Sequence, residues 1–220
     1  MNTWKKRSVE RDRNIGWVNN RLFELDYPSL YLGNEMNTFH FDWDDAIETG
    51  AINEIPRILL MNLGSYKNTL NAPALLLFYD ELHTLKPSWI VERSLCPATS
   101  NDLNIMRLDG IRPFAVESKM PAECFDVICM SMDFYHNTAS IPWYLYESGI
   151  PVFSKERTEE DPFIILGGAA LYNPAPYMNF CDIIFFGEGE DILPDLLAMI
   201  VENRRIGMTK EEILLRAVKS

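Results

Sequence analysis

The sequence is poor in the features that mark several common functional classes. Lysine and arginine total 20 against 32 aspartates and glutamates, which gives a net charge of −12. Nucleic-acid binding depends on clustered cations that contact phosphates, so this balance argues against nucleic acid as the main partner. No apolar run approaches the roughly 20 residues that a membrane-spanning helix requires. The N-terminus also lacks the apolar segment of a secretory signal peptide.

Cysteine is scarce, and most catalytic sequence motifs are absent. The chain has four cysteines without any CxxC pair: Cys96, Cys124, Cys129 and Cys181. They lie mostly beside apolar residues, which predicts reduced core thiols in a cytosolic protein. The sequence contains no P-loop, zinc-ligand cluster, GxSxG or HExxH, and its GEGEDI segment lacks the third glycine of a dinucleotide fingerprint.

Apolar residues are plentiful, at 47% of 220 residues, which is enough for a full core. Five short apolar runs bounded by turn residues are predicted as strands: Ile58–Leu63, Trp89–Cys96, Phe125–Met132, Phe163–Leu166 and Ile183–Phe186. Helical segments separate most of them. This alternation indicates βαβ units and therefore an α/β fold with a doubly wound, mainly parallel five-stranded sheet.

The ends of the chain are predicted to be helical. Residues 1–26 read as a helix that stops at Tyr27-Pro28, and Thr209 with Glu212 forms a capping box for a last helix. We expect three parts: a helical or extended arm, the α/β domain and a C-terminal helix, at residues 1–55, 56–205 and 206–220. Within the arm, His40, Asp42 and Asp44 alternate as on one face of a strand. A solvated strand face is favoured there over a metal site.

Two glycine-rich loops follow the last two predicted strands. Gly167-Gly168 ends one strand and Gly187-Glu188-Gly189-Glu190 ends the next. Glycine lets a ligand or another backbone come close, and ligands of open parallel sheets sit at the carboxyl ends of the strands. Carboxylates at the start of the following helix compete with phosphate, which favours a ligand rich in hydroxyl or amide donors. The alternative is that both loops only make tight turns.

Two titratable residues after the third predicted strand could also form an acid–base pair. Asp133 and His136 lie three residues apart after the third predicted strand. A freestanding flavodoxin-like enzyme could use such a pair for proton transfer. The other reading is an aspartate that caps the next helix beside an exposed histidine, and the residue pattern favours it.

The chain resembles a known family at several motifs. The run IILGG…NPAP…FCDIIFFGEGED resembles the cobalamin-binding-type N-terminal domain of radical SAM proteins, in which GG and GEGE loops recur on the fourth and fifth strands. The segments LYLGNEMN…DWD, ERSLCP, FAVES and FDVICMSM…YESGIPV resemble a large subfamily in which this domain precedes the radical SAM barrel. The resemblance covers about Leu30 to Arg205.

The resemblance implies a cobalamin-binding-like domain, or split subunit, that shapes the active site of a barrel outside this chain. Cobalamin is the cofactor it implies here, whereas SAM and the 4Fe-4S cluster would belong to the barrel. Corrinoid contacts are expected from eight residues: Gly167, Gly168, Gly187, Glu188, Gly189, Glu190, Ser65 and Ser131. The alternative is a non-catalytic interaction or scaffold module with an empty crevice.

Three departures from the family pattern are visible. The CxxxCxxC motif that holds the cluster is absent, so this chain alone cannot cleave SAM reductively. The cobalt-ligating DxHxxG motif is also absent, as it is in many radical SAM relatives. In the loop after the first strand, Thr69 and Ala74 stand where the family would have glycines.

Overall fold

The computed structural model describes residues 3–65, 73–133, 135–169, 171–190 and 192–218, and for Thr3, Ser65, Tyr135 and His136 only the backbone. The strands are β1 Arg57–Ser65, β2 Ile90–Cys96, β3 Val127–Ser131, β4 Phe163–Gly167 and β5 Ile183–Ile184. The α-helices are α1 Thr3–Arg21, α2 Trp43–Thr49, α3 Pro73–Leu85, α4 Ser100–Leu108, α5 Ser140–Glu147, α6 Leu193–Arg205 and α7 Lys210–Ala217. Short 3-10 helices lie at Pro28–Tyr31, Ala51–Asn53, Ala122–Cys124, Tyr135–Ala139 and Ser154–Glu156.

The five strands form one parallel sheet in the order β2-β1-β3-β4-β5. This confirms the predicted doubly wound fold. The strand order reverses between β1 and β3, and open sheets of this order bind their ligands near that point. β5 is shorter than the predicted run to Phe186, because its pairing with β4 ends at Leu166 and Ile184, with one further hydrogen bond from the Phe185 N–H to the Leu166 carbonyl.

Side-chain caps mark the starts of two helices. Thr99 caps α4 by accepting a 3.2 Å hydrogen bond from the Asp102 backbone N–H. Thr209 and Glu212 form the predicted capping box of α7. After β3 the chain forms a 3-10 helix at Tyr135–Ala139 and continues as α5 from Ser140, with Pro142 tolerated in the first turn of α5.

Helices cover both faces of the sheet. On one face, α3, α6 and α7 pack against side chains that include Leu60, Val127 and Ile165. On the other face, α2 and α5 pack against side chains that include Met61, Met130 and Leu166. A third cluster joins α1 to α4. No helix in the described residues combines the length and apolar sequence that a membrane crossing demands.

The N-terminal arm shares the core of the sheet. Trp43 of α2 and Ile52 are buried in the cluster that contains the β-strand residues Leu59 and Ile128. Residues 3–55 therefore pack as part of the α/β core in this structure, since their apolar side chains have the sheet as their common partner.

The alternation of His40, Asp42 and Asp44 does not lie on a strand, so that prediction is wrong. Asp42 is the N-cap of α2 and accepts a 3.0 Å hydrogen bond from the Asp45 backbone N–H. Asp44 accepts hydrogen bonds of 2.8 Å from Arg11 of α1. An aspartate that satisfies an unpaired helix N–H is a stronger local signal than a short alternation of polar residues.

A buried glutamate connects the arm to the edge strand β2. The Trp43 Nε1–H donates a 2.7 Å hydrogen bond to Glu92 Oε1. Ser118 donates to the other carboxylate oxygen through its hydroxyl and its backbone N–H. Burial, together with the neighbouring Glu117, raises the pKa of Glu92 to about 7. Glu92 thus receives hydrogen bonds only from neutral donors.

The next residue of β2, Arg93, forms the ionic part of the same connection. Its guanidinium pairs with Glu117 and, at 3.0 Å, with Glu35 of the arm. Lys119 lies beside this pair and donates a 2.9 Å hydrogen bond to the Leu32 carbonyl. Burial raises the pKa of Glu117, and the Arg93 guanidinium opposes that shift. These contacts cover β2, whose open edge would otherwise be exposed.

Candidate functional site

A cavity of about 1060 Å³ opens at the carboxyl ends of β1, β3, β4 and β5, with α3 along its side. We call it the carboxyl-edge cavity. It borders the reversal of strand order, where open α/β sheets bind ligands. Its volume matches the upper end of small-molecule sites, which span roughly 300 to 1,000 Å³. The site therefore has room for a large ligand.

The floor of the carboxyl-edge cavity is built from two rows of residues that are paired across β1, β3 and β4. The inner row is apolar and consists of Leu60, Cys129 and Ile165. The outer row, two residues further along each strand, consists of Asn62, Ser131 and Gly167. Residues two apart on a strand share a face, so both rows face α3. Of the outer row, Ser131 and Gly167 line the cavity, so the floor becomes smaller and more polar as it approaches the strand ends.

Gly167 leaves space in the cavity. A Cβ placed on it would meet no described atom within 4 Å. Its backbone has no left-handed φ, so neither a clash nor strain within the described residues demands a glycine there. A Cβ at this position would therefore lie in space that the described atoms leave open. Gly167 is therefore the glycine whose smallness serves the cavity rather than the fold.

Gly168 is required by the fold. Its φ is +125°, a conformation that other residues rarely adopt. A Cβ there would lie 2.5 Å from the Met132 carbonyl oxygen and 2.7 Å from the Met132 nitrogen. The close approach of two backbones thus brings the end of β4 against the segment that follows β3.

The loop after β5 closes the cavity against α3. Gly187 has a φ of +107°, and a Cβ on Gly189 would lie 2.7 Å from Cζ of Phe78. The Phe78 ring therefore packs onto the backbone of this loop. The Gly189 carbonyl accepts hydrogen bonds from the N–H groups of Ile192 and Leu193, at 3.2 and 2.8 Å. Those donors at the start of α6 are used within the loop.

Asp133 is held in place at the end of β3. Asn62 Nδ2 donates a 2.7 Å hydrogen bond to one carboxylate oxygen, and Ser131 Oγ donates a 3.2 Å hydrogen bond to the other. Asn62 is itself oriented by the Gly64 backbone N–H, which donates to Asn62 Oδ1 at 2.7 Å. Asp133 also lines the cavity. The arrangement presents a carboxylate in a fixed orientation beside the reversal of strand order.

The polar lining consists mainly of carboxyl groups. They belong to Asp80, Asp133, Glu188 and Glu190. Among the lining residues that the structure describes there is no lysine, arginine or histidine. The mouth also has exposed apolar side chains, with Leu77 at 46% and Phe186 at 55% of full exposure. The arrangement can accept hydrogen bonds from a ligand and cover its apolar faces, and its described residues offer no side-chain cation to an anion.

Most of the residues predicted for this site lie together. Seven line the cavity: Gly167, Gly168, Gly187, Glu188, Gly189, Glu190 and Ser131. Ser65 ends β1 at the same edge of the sheet, and its side chain lies outside the described residues. The side chain of His136 and the whole of Thr69 also lie outside the described residues. Ala74, at the start of α3, lines the cavity. Cofactor binding by these residues stays a prediction.

No metal-binding group is visible in the part of the chain that the structure describes, where no three His, Cys, Asp or Glu side chains cluster as ligands. The four cysteines form no disulfide, and only Cys129, on the cavity floor, is more than slightly exposed. Burial raises the pKa of each thiol to about 12. The thiols are therefore protonated at neutral pH, as is typical of core cysteines.

Three contributors to the site were not predicted from the sequence: Asn62, Phe78 and the exposed leucines of α3. The leucines had a signal in the sequence. Residues 75–78 read LLLF, and four consecutive apolar residues of a helix cannot all face one sheet. The pairing of Asn62 with Asp133 had no signal in the sequence, because the two residues are 71 positions apart.

The family match covers the part of the chain that builds this cavity except for β1 and the first residues of α3. A family model described as radical SAM proteins, N-terminal, matches residues 75–220, which is more than half of the chain. No curated protein and no solved structure matches. The matched region runs from α3 through both glycine loops to the C-terminus. The chain therefore belongs to the family of radical SAM N-terminal domains.

Proposed function

We propose that this chain acts as the cobalamin-binding-like N-terminal domain, or separately encoded subunit, of a radical SAM enzyme. Membership of the family implies association with a radical SAM catalytic domain. In this proposal SAM and the 4Fe-4S cluster belong to that barrel, and the carboxyl-edge cavity faces its active site. Four thiols without a disulfide fit the cytosolic setting that we propose for the enzyme.

The cavity, with the open space at Gly167, is the observation that supports a bound cofactor. A corrinoid has broad apolar ring faces and amide N–H donors around its edge. The apolar row of the floor suits the ring, and the carboxylates of Asp133, Glu188 and Glu190 suit its amides. When bound, a corrinoid supplies cobalt-centred alkyl or radical chemistry. The residues of this chain would bind it, orient it and exclude water from it.

The two glycine loops would line the groove of the nucleotide tail. Gly167 and Gly168 would border it on one side, and Gly187 and Gly189 on the other. Ser131 ends the neighbouring strand β3, and the backbone of Ser65 ends β1. This assignment follows the family resemblance and fits the geometry of the cavity.

Retention of a corrinoid tests this proposal. The purified chain is incubated with hydroxocobalamin and desalted, and its visible spectrum is recorded. We expect the wild type to retain the corrinoid with a shifted spectrum, and Gly167→Leu, which fills the open space, to lose it while keeping its urea midpoint. A colourless wild type after desalting would rule out tight corrinoid binding.

A second function, as an interaction or scaffold module, is favoured by the exposed apolar mouth of the cavity. Contiguous exposed apolar side chains commonly mark protein interfaces. In this case Leu77→Asp and Phe186→Asp should abolish co-purification with the radical SAM barrel, whereas Gly167→Leu should not. Loss of the barrel in Gly167→Leu as well would favour a role of the cavity interior instead.

A further inference from the structure

The charge distribution of the carboxyl-edge cavity restricts its ligands. Its described lining contains four carboxyl groups and no cationic side chain. Moving an anion into a partly desolvated site is costly unless a positive group or several hydrogen-bond donors compensate it. The lining therefore disfavours phosphate, sulfonate and carboxylate groups in the cavity.

Two backbone donors at the start of α6, where α/β folds usually bind phosphate, are engaged here. Phosphates bind where the free N–H groups of a helix N-terminus meet a glycine-rich loop. At the start of α6, the N–H groups of Ile192 and Leu193 donate to the Gly189 carbonyl. Glu188 and Glu190 lie in the same loop and add negative charge. The start of α6 thus has two fewer free donors for a phosphate, and the two glutamates of its loop oppose an anion there.

Asp133 supplies the complementary feature, an oriented acceptor. Each of its carboxylate oxygens receives one hydrogen bond from within the chain, from Asn62 and Ser131 respectively. A carboxylate offers about four lone-pair positions, so acceptor capacity remains on the side of the cavity. Because Asn62 is only 2% exposed and fixed by the Gly64 N–H, the orientation of Asp133 is set before a ligand arrives.

We propose that the carboxyl-edge cavity selects a large, apolar, uncharged or cationic ligand with N–H donors and rejects anionic ligands, and that Asp133 accepts one of those donors. The inference rests on the proposed function in that it concerns the same cavity, and it names the chemical class of the occupant. If the occupant is a cobalamin, its phosphodiester lies at the open mouth in solvent rather than over the floor.

A matched pair of fluorescent dyes tests the selectivity separately from corrinoid binding. N-phenyl-1-naphthylamine is uncharged and has one N–H donor, and 8-anilino-1-naphthalenesulfonate adds an anionic sulfonate to the same rings. We expect the wild type to bind the uncharged dye at least about tenfold more tightly. Asp133→Asn should weaken the uncharged dye about tenfold, because a charged hydrogen-bond acceptor is lost. It should weaken the sulfonate dye less, because removal of the negative charge offsets that loss, so the affinity ratio should fall.

Three further variants complete the experiment. Gly167→Leu should displace both dyes, which places them in the cavity. Glu190→Gln removes a carboxylate without touching the Asn62–Asp133 contact, and it should raise affinity for the sulfonate dye alone. Glu211→Gln, at an exposed residue of α7, should change neither affinity.

Several results would overturn the inference. Equal affinity of the wild type for both dyes would show that the cavity has no charge selectivity. An unchanged ratio in a folded Asp133→Asn variant would remove the role of that residue, and failure of the uncharged dye to bind the wild type would show that the cavity does not accept this ligand class. Loss of corrinoid binding with retained dye selectivity would instead contradict only the corrinoid proposal.

Discussion

The Met132 carbonyl oxygen lies 2.5 Å from the position that a Cβ of Gly168 would occupy. The contact is between two stretches of backbone, so neither partner can rotate away as a side chain can. Gly167, the preceding residue, has open space at the same position. Two adjacent glycines therefore have different roles, one in the fold and one in the cavity.

Gly168→Ala should destabilise the protein by about 2–4 kcal/mol, because it adds a steric clash to an unfavourable backbone conformation. Gly167→Ala should change the free energy of unfolding by no more than about 1 kcal/mol, since an alanine fits there without strain. Urea denaturation of the two variants and the wild type measures both effects. Equal losses of stability in the two variants would show that the distinction between these glycines is incorrect.

The contact between Gly189 and Phe78 should tolerate an added Cβ at a smaller loss of stability than the contact between Gly168 and Met132. A Cβ on Gly189 would lie 2.7 Å from Cζ of Phe78, which is the far end of a side chain that can move. We expect Gly189→Ala to cost less than Gly168→Ala. In the double variant with Phe78→Leu, the loss of stability should be smaller than the sum of the single losses by about 0.5–1.5 kcal/mol.

Chemical denaturation of the four proteins in this cycle gives the coupling energy directly. A control pair, Gly189→Ala with Leu85→Ala at the exposed end of α3, should show no coupling. Additive effects in the Gly189–Phe78 pair would mean that the ring does not pack on the loop after β5.

Glu92 should make the stability of the protein depend on pH. Burial raises its pKa to about 7 in the folded state, against an ordinary value of 4.5. The folded protein therefore binds more protons between these values, and the contribution of Glu92 to stability is largest below pH 4.5 and is lost as pH rises through 7. Glu92→Gln, which preserves an acceptor for Trp43, should remove this dependence.

Urea denaturation at pH 5 and pH 8 measures the effect. Between these conditions the stability of the wild type relative to Glu92→Gln should fall by roughly 1–3 kcal/mol. Glu48→Gln, at an exposed residue of α2, is the matched control and should show no such change. A constant difference between wild type and Glu92→Gln would mean that Glu92 is ionised throughout this range.

Lys210 should give a pH dependence of opposite sign. It donates a 3.1 Å hydrogen bond to the Pro162 carbonyl, and burial lowers its pKa from 10.5 to about 8 although Asp182 opposes the shift. The unfolded chain thus binds more protons between pH 8 and 10.5, so this residue adds stability as pH rises through that range. Lys210→Met keeps the apolar stem and should remove this gain.

The measurement is the free energy of unfolding at pH 8 and pH 10. The advantage of the wild type over Lys210→Met should grow by roughly 1–3 kcal/mol between the two conditions. Lys155→Met, at an exposed lysine, serves as the control. If Lys210 and Lys155 variants respond alike, the Lys210 ammonium group is not desolvated by the packing of α7.

The sheet and the place of the cavity were predictable from the sequence for the same reason. Buried parallel strands read as continuous apolar runs, and their carboxyl ends meet at one edge of the sheet whatever their side chains are. The loops at Gly167-Gly168 and Gly187–Glu190 therefore came together as expected. The predicted end of β5 at Phe186 is wrong, since nothing in the apolar run reveals that its pairing with β4 stops at Ile184.

Contacts between distant residues could not be predicted. Trp43 and Glu92 are 49 positions apart, and a single sequence holds no record of such a pairing. The capping role of Asp42, by contrast, had a local signal in the sequence, namely its spacing to Asp45. The alternation of polar residues favoured a strand there instead. Cofactor binding by Gly167 and its neighbours could not be read from the sequence or the fold, because it depends on a ligand that is part of neither.

Chemical-shift mapping with hydroxocobalamin tests most directly whether the carboxyl-edge cavity binds an outside molecule. In ¹⁵N spectra of the wild type, the amides of Ser131, Gly167, Gly187 and Gly189 should shift on titration. The amides of Arg157 and Lys210, at the opposite end of the sheet, should not move. Shifts confined to other surfaces, or none at saturating corrinoid, would contradict the proposal.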